Sequence, residues 1–205
     1  MVTKQSRSTP VMQTVLDAVI ERLDHGDESL IRIPEICEAT GVNYGSVYHH
    51  FGSREGVIDA AYEWMFIGLV NEDIAAIRNI SETASTLQEY VEAMQPLLLA
   101  LAAGDARSTR RARRVRIVAA AIARPELRTL IGEIQSELSA DLTELVKHGQ
   151  DQGWIRSDIP PNAIAVFFLA LVFGRNLDDV SATPIPQGDW DLMILKMFTE
   201  LLARE

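Results

Sequence analysis

Between Ile33 and Ile58 the chain reads IPEICEATGVNYGSVYHHFGSREGVI, and its helix stops and caps leave few folds open. Pro34 suits only the first turn of a helix, so a helix is predicted from Ile33. Gly41 ends it in a left-handed conformation, and Val42 plugs the corner. Asn43 is a good N-cap for a second helix, Tyr44 to Phe51. Ser53 caps a third, whose positive end suits Glu55. Ile33, Ile36 and Cys37 point inward from the first helix, and Val47 and Phe51 do so from the second. Cys37 therefore reads as a buried core thiol and not a redox sensor. This is the layout of a helix-turn-helix.

The second helix is ~12 Å long at 1.5 Å per residue, and the DNA major groove is ~12 Å wide. With Val47 and Phe51 committed to the core, Tyr44, Gly45, Ser46, Tyr48, His49 and His50 remain outside. Their hydroxyls and imidazoles suit phosphate oxygens and base edges, and Gly45 lets backbone approach closely. Arg54 would place a cation and a helix N-terminus beside one phosphate. A net charge of −10 argues against a general nucleic-acid binder. Yet residues 40–54 hold no acid, which sits instead in Asp17, Glu21, Asp24, Asp27, Glu28, Glu35 and Glu38. Binding is expected to rest on geometry and few phosphate contacts, and to be weak until the protein dimerises.

The rest of the chain reads as helix, with no alternating strand pattern and no repeat. Val11, Val15, Val19 and Leu23 form an apolar stripe on a first helix, Val11 to His25, stopped by Gly26. The helix from Ser53 continues to about Ile80. Five more are placed at 84–103, 106–123, 125–152, 161–177 and 190–203, and Pro96 should kink or restart the first of these. Hydrophobic residues make up 47% and charged residues 23%, the balance of a chain that builds a core. The longest apolar run, Ala163 to Phe173, is short of the ~20 residues of a membrane span. The polar start, Met1 to Pro10, does not read as a signal peptide. A single cysteine excludes an internal disulfide and points to a reducing, cytoplasmic setting.

The stretch from Ile36 to Ile58 resembles the DNA-binding domain of TetR/AcrR-family transcriptional repressors. The resemblance is carried by Ile36, Gly41 and Val42 at the corner and by Asn43, Gly45 and Ser46 at the start of the second helix. Val47, Tyr48, His50 and Phe51 continue it, and Ser53, Arg54 and Glu55 complete it. Length and an all-helical remainder also fit. The resemblance implies an all-α fold, with a DNA-binding domain over 1–57 and a ligand-binding and dimerisation domain over 58–205. It implies that Ser46, Tyr48, His50 and Arg54 contact the DNA backbone, with Tyr44, Gly45 and His49 nearer the bases. Tyr44 stands where the family often has lysine, which removes a cation and implies a distinctive operator. Arg32 stands where a Ser or Thr cap is common, so that cap is expected to be lost. Lys4 and Arg7 are the other cations placed to reach DNA.

The resemblance also implies that the C-terminal part binds a small molecule and dimerises. Ala163, Val166, Phe167, Ala170, Leu171 and Gly174 form one apolar stripe. Leu192, Leu195, Met197, Phe198, Leu201 and Leu202 make the last helix apolar. These two helices either build a four-helix dimer interface or complete the monomer core. A palindromic site needs two recognition helices ~34 Å apart, which favours the dimer. Trp64, Met65, Phe66, Tyr90, Met94 and Phe168 either line a cavity for an apolar or amphipathic effector or are plain core. Arg107, Arg110, Arg111 and Arg114 share one helix face. They form either a solvated face neutralised by acids or, with Arg110 as a ligand contact, an anion site or a bridge to the acidic DNA-binding domain. His25, His49, His50 and His148 have no metal-ligand spacing, no catalytic constellation stands out, and neither a cofactor nor an enzyme is expected. The reading is a homodimeric repressor released from a palindromic operator by its effector. The alternative is a small-molecule-binding protein of the same fold with little DNA affinity.

Overall fold

The computed structural model describes residues 10–25, 28–103 and 105–202. The helices are α1 (Pro10–His25), α2 (Ile33–Thr40), α3 (Tyr44–Phe51), α4 (Arg54–Thr83) and α5 (Leu87–Ala102). They continue as α6 (Asp105–Ala123), α7 (Pro125–Asp151), α8 (Pro161–Gly174), α9 (Asn176–Asp179) and α10 (Gln187–Leu201). A 3-10 turn, Glu28–Leu30, lies between α1 and α2. Among the described residues the β pairing is one isolated bridge, Ile155 to Leu202, so the fold is all-α.

The described residues of Val2–Leu69 and Ile117–Ile134 form one compact unit. Its core holds Val15, Leu16, Val19, Ile36, Val47 and Phe66, each at most 1% exposed. Burying a side chain of this size contributes roughly 1.5–3 kcal/mol. The α1 stripe differs from the expected one: Val11 is 51% exposed, and Met12 and Leu16 are buried instead. Each i, i+4 step overshoots a full helical turn by about 40°, so a strict four-residue stripe drifts off the core side. Cys37 is half-buried, and burial raises its thiol pKa above the ordinary value. The expected stop at Gly26 lies outside the described residues.

The described residues of Val70–Arg116 and Gln135–Glu205 form the second unit. The α5 start falls at Leu87, not at 84, because Thr86 caps the helix and Glu89 reaches back to the residue before the cap. Thr86 Oγ1 accepts from the Glu89 backbone N–H at 3.2 Å, and Glu89 Oε2 accepts from the Ser85 N–H at 2.8 Å. The helix runs through Pro96 without restarting. The α8 helix stops at Gly174, and α10 begins at Gln187 behind Pro186. Tyr90 stacks on Trp154 at 5.2 Å and lies 6.2 Å from Phe198, which joins α5, α10 and the α7–α8 connection in one core.

Candidate nucleic-acid interface and ligand cavity

Local chemistry sets the corner between α2 and α3. Gly41 has φ 70°, the left-handed conformation expected of it. Thr40 Oγ1 donates to the Ile36 carbonyl at 2.7 Å. Asn43 Oδ1 accepts from the Gly45 N–H at 2.8 Å and caps α3, and a Cβ on residue 45 would sit 3.1 Å from that oxygen. At the other end of α3, Gly52 has φ 78° and donates to the Tyr48 carbonyl at 2.9 Å. Ser53 Oγ accepts from the Gly56 N–H at 2.9 Å, and a Cβ at Gly56 would meet the Phe51 carbonyl oxygen at 2.1 Å. The α2 N-terminus has no side-chain cap, because Arg32 occupies that position.

With Val47 fully buried and Phe51 half-buried, α3 presents Tyr44, Gly45, Ser46, His49 and His50 as exposed residues, with Tyr48 half-buried beside them. The Tyr44 and Tyr48 rings lie 4.6 Å apart. A hydrogen bond to Tyr44 raises the Tyr48 hydroxyl pKa above its ordinary value. The two tyrosines form one tilted ring pair at an interplanar angle of 35°.

Arg54 is engaged within the fold. Its Nε donates to the Ile31 carbonyl at 2.8 Å, Nη2 donates to the Glu28 carbonyl, and Nη1 meets Glu55 at 3.3 Å. Its donors thus satisfy backbone carbonyls of the α1–α2 connection, and the side chain works as a clamp on the start of α4. Arg32, whose place at the α2 N-cap implies a lost cap, is an exposed cation. Its side chain is 71% exposed, with a loose 3.6 Å contact to Glu35. It shares a groove of about 520 Å³ with Ser29, Pro34, Tyr48 and Arg54 at the uncapped start of α2. Lys4 and Arg7 lie outside the described residues.

Behind this face, Glu28 is a second feature the sequence did not signal. It accepts from the Tyr62 hydroxyl at 2.9 Å and from Arg124 at 3.1 and 3.3 Å. Arg124 also lies 3.2 Å from Asp59 and over the Tyr62 ring. Burial raises the Asp59 pKa despite that arginine.

The second unit encloses a cavity of about 120 Å³. Its wall is apolar along most of its length, including Ile74, Met94, Leu142, Phe168 and Ile194. The charged residues in the wall are Asp73, Arg114 and Arg175, and Ser81 and Tyr90 add hydroxyls. Burial pushes the Tyr90 phenol up to about 12.

Residues 31–61 match the model of the bacterial regulatory proteins, tetR family. The match covers the helix-turn-helix segment, α2, α3 and the start of α4. Solved structures of proteins described as TetR-family transcriptional regulators share its fold. One from Mesorhizobium loti has a TM-score of 0.73 at 15% identity, covering 98% of this chain and all (100%) of that one. One from a Rhodococcus species has a TM-score of 0.66 at 19% identity, covering 94% and 98%. A transcriptional regulator from Saccharomonospora viridis, solved in complex with choline, has a TM-score of 0.64 at 17% identity, covering 95% and 96%. No curated protein matches the sequence.

The expected ligand residues divide. Tyr90, Met94 and Phe168 line the cavity. Trp64 and Met65 do not: they belong to the other unit, because α4 passes through both. Arg110 does not line it either, since it pairs with Glu72 and Asp73. The arginine face of α6 is neutralised by acids, with Arg107 and Arg114 each 3.0 Å from Asp73. The expected dimer residues divide as well. Phe198 is 4% exposed and Leu171 lines the cavity, so both serve the interior of their own unit. Leu195, Leu202 and Gly174 are half-buried, and Ala170 is exposed. Exposed apolar side chains include Val166, Phe167 and Phe173 on α8, Leu177 on α9, and Leu192 and Met193 on α10. No described helix is long and apolar enough to cross a membrane, and the described residues contain no metal-binding cluster of His, Cys, Asp and Glu.

Proposed function

We propose that this chain is a ligand-responsive repressor that binds a palindromic operator as a homodimer in the cytoplasm and is released by a small-molecule effector. In this reading residues 1–57 engage DNA, while 58–205 bind the effector and dimerise. The observation that carries it is the outer face of α3, where Tyr44, Ser46, His49 and His50 stand exposed on a helix fixed by Val47 and the Asn43 cap. Tyr44, Gly45 and His49 face the bases. Ser46, Tyr48, His50 and Arg32 take phosphates, and Arg54 holds the frame. The exposed apolar face of Val166, Phe167, Ala170, Leu177 and Leu192 is the surface that a second copy covers. The apolar cavity is the effector site, a role supported by the choline complex of the Saccharomonospora viridis protein.

The clamping of Arg54 favours one further reading, a ligand-binding protein of the same fold with little DNA affinity, because it withdraws a strong cation from the DNA side. Selection of bound fragments from random double-stranded DNA separates the two. A recovered palindrome bound by two copies supports the repressor, with binding lost in Tyr48→Ala. Failure to enrich any sequence at low salt would leave the ligand-binding protein.

A further inference from the structure

We propose that the cavity of the second unit is built for an elongated monocarboxylate, its carboxylate on Arg175 and a hydrogen-bonding group of its tail at Tyr90 and Ser81. This rests on reading the cavity as the effector site.

The head end is set by Arg175, which is 6% exposed. Its contacts with Asp178 and Asp179 all fall on Nη1. The guanidinium lies over the Trp190 ring at 4.8 Å, and its buried Nε has no hydrogen-bond partner. Among the described residues, the Nε–Nη2 edge is therefore a two-donor fork left unspent. An unpaired buried donor is costly, and the partner that matches a planar fork is a carboxylate. The charged residues in the wall have the same bias: two cations, Arg114 and Arg175, against one carboxylate, Asp73. Asp73 is already held by Arg107, Arg110 and Arg114.

The tail end follows from helix geometry. Trp190 touches Arg175 and Phe198 touches Tyr90, and Trp190 and Phe198 lie eight positions apart on α10. Asp73 and Ser81 lie eight positions apart on α4. Either interval is ~12 Å along a helix. Tyr90 and Ser81 are buried, and no hydrogen bond satisfies either hydroxyl within the described residues. Between the two ends the wall is aliphatic and aromatic. At about 120 Å³ the space suits a narrow chain and not a broad ring system.

The test is direct binding to the full-length protein of decanoate, decanol, decylamine, choline and ω-hydroxydecanoate, read by calorimetry and by tryptophan fluorescence. Decanoate should bind about tenfold or more tightly than decanol, and decylamine and choline should bind least. Arg175→Lys keeps the charge facing Asp178 and Asp179 but loses the fork, and should remove the preference for decanoate over decanol. Tyr90→Phe should lower affinity for ω-hydroxydecanoate and leave decanoate unchanged. Equal binding of decanoate and decanol, or tighter binding of decylamine, would overturn the proposal. So would wild-type decanoate affinity in Arg175→Lys. If Arg175→Lys does not fold, the head-group series on the unmodified protein decides alone. A neutral compound that releases operator DNA while decanoate fails to bind would overturn this assignment and leave the repressor reading standing. Decanoate binding without any operator would do the reverse.

Discussion

Arg111 of α6 and Asp179 of α9 meet edge to edge, Nε to Oδ2 at 2.7 Å and Nη2 to Oδ1 at 2.8 Å, with the arginine 4% exposed. Arg111 also donates to the Ala103 carbonyl at 2.9 Å. Asp179 in turn lies 3.4 Å from Arg175, so the cavity wall and α6 share one carboxylate.

Breaking a buried pair leaves an uncompensated charge. Arg111→Met strands Asp179 with Arg175 as its remaining cation, and should cost about 3 kcal/mol of stability. The double variant Arg111→Met with Asp179→Leu should recover most of that loss, because apolar replacement of both partners removes the desolvation cost. Urea unfolding of the two variants measures the difference, and a double variant no more stable than the single would contradict the pairing.

Arg32 and Arg54 should separate by their salt dependence. Each phosphate contact contributes about −0.9 to the slope of log K against log salt. Arg32→Ala should make that slope shallower by about one unit and leave Tm nearly unchanged. Arg54→Ala should lower Tm, since the Ile31 and Glu28 carbonyls lose their donor, while the slope stays the same. Operator titrations at several salt concentrations decide it, and a shallower slope in Arg54→Ala would return that residue to the DNA backbone.

Alkaline unfolding should report Tyr90. Burial holds its folded-state pKa at about 12, against an ordinary value of 10.0. The raised value means that the neutral phenol is the form the fold tolerates. Its contribution is fully present below the unfolded value and is lost as pH rises from there through about 12. Two units correspond to about 3 kcal/mol. Tyr90→Phe should flatten the fall in stability across that window in denaturant titrations. An unchanged fall would place the tyrosine hydroxyl in water.

The helix-turn-helix was legible because its signals are local. Pro34, Gly41, Asn43 and Ser53 act on backbone within a few residues, and α2 and α3 have the predicted ends. The α5 start was misplaced although its signal was equally local, in the Thr86 and Glu89 pair. Arg54 was read by position, as a cation at a helix start. No local pattern discloses that two carbonyls of the α1–α2 connection lie within its reach.

The sequence by itself determined an all-helical chain, the corner at Gly41 and the outward face of α3, since φ preferences, caps and periodicity act over a few residues. Tertiary structure decided which arginines are spent and which are open, that Phe198 and Leu171 turn inward while Phe167 and Leu192 stay exposed, and that Trp64 and Met65 miss the cavity. Those outcomes depend on partners many residues away, such as Glu28 with Arg124 or Arg111 with Asp179. Their spacing in the chain carries no trace of the distance between them in the fold.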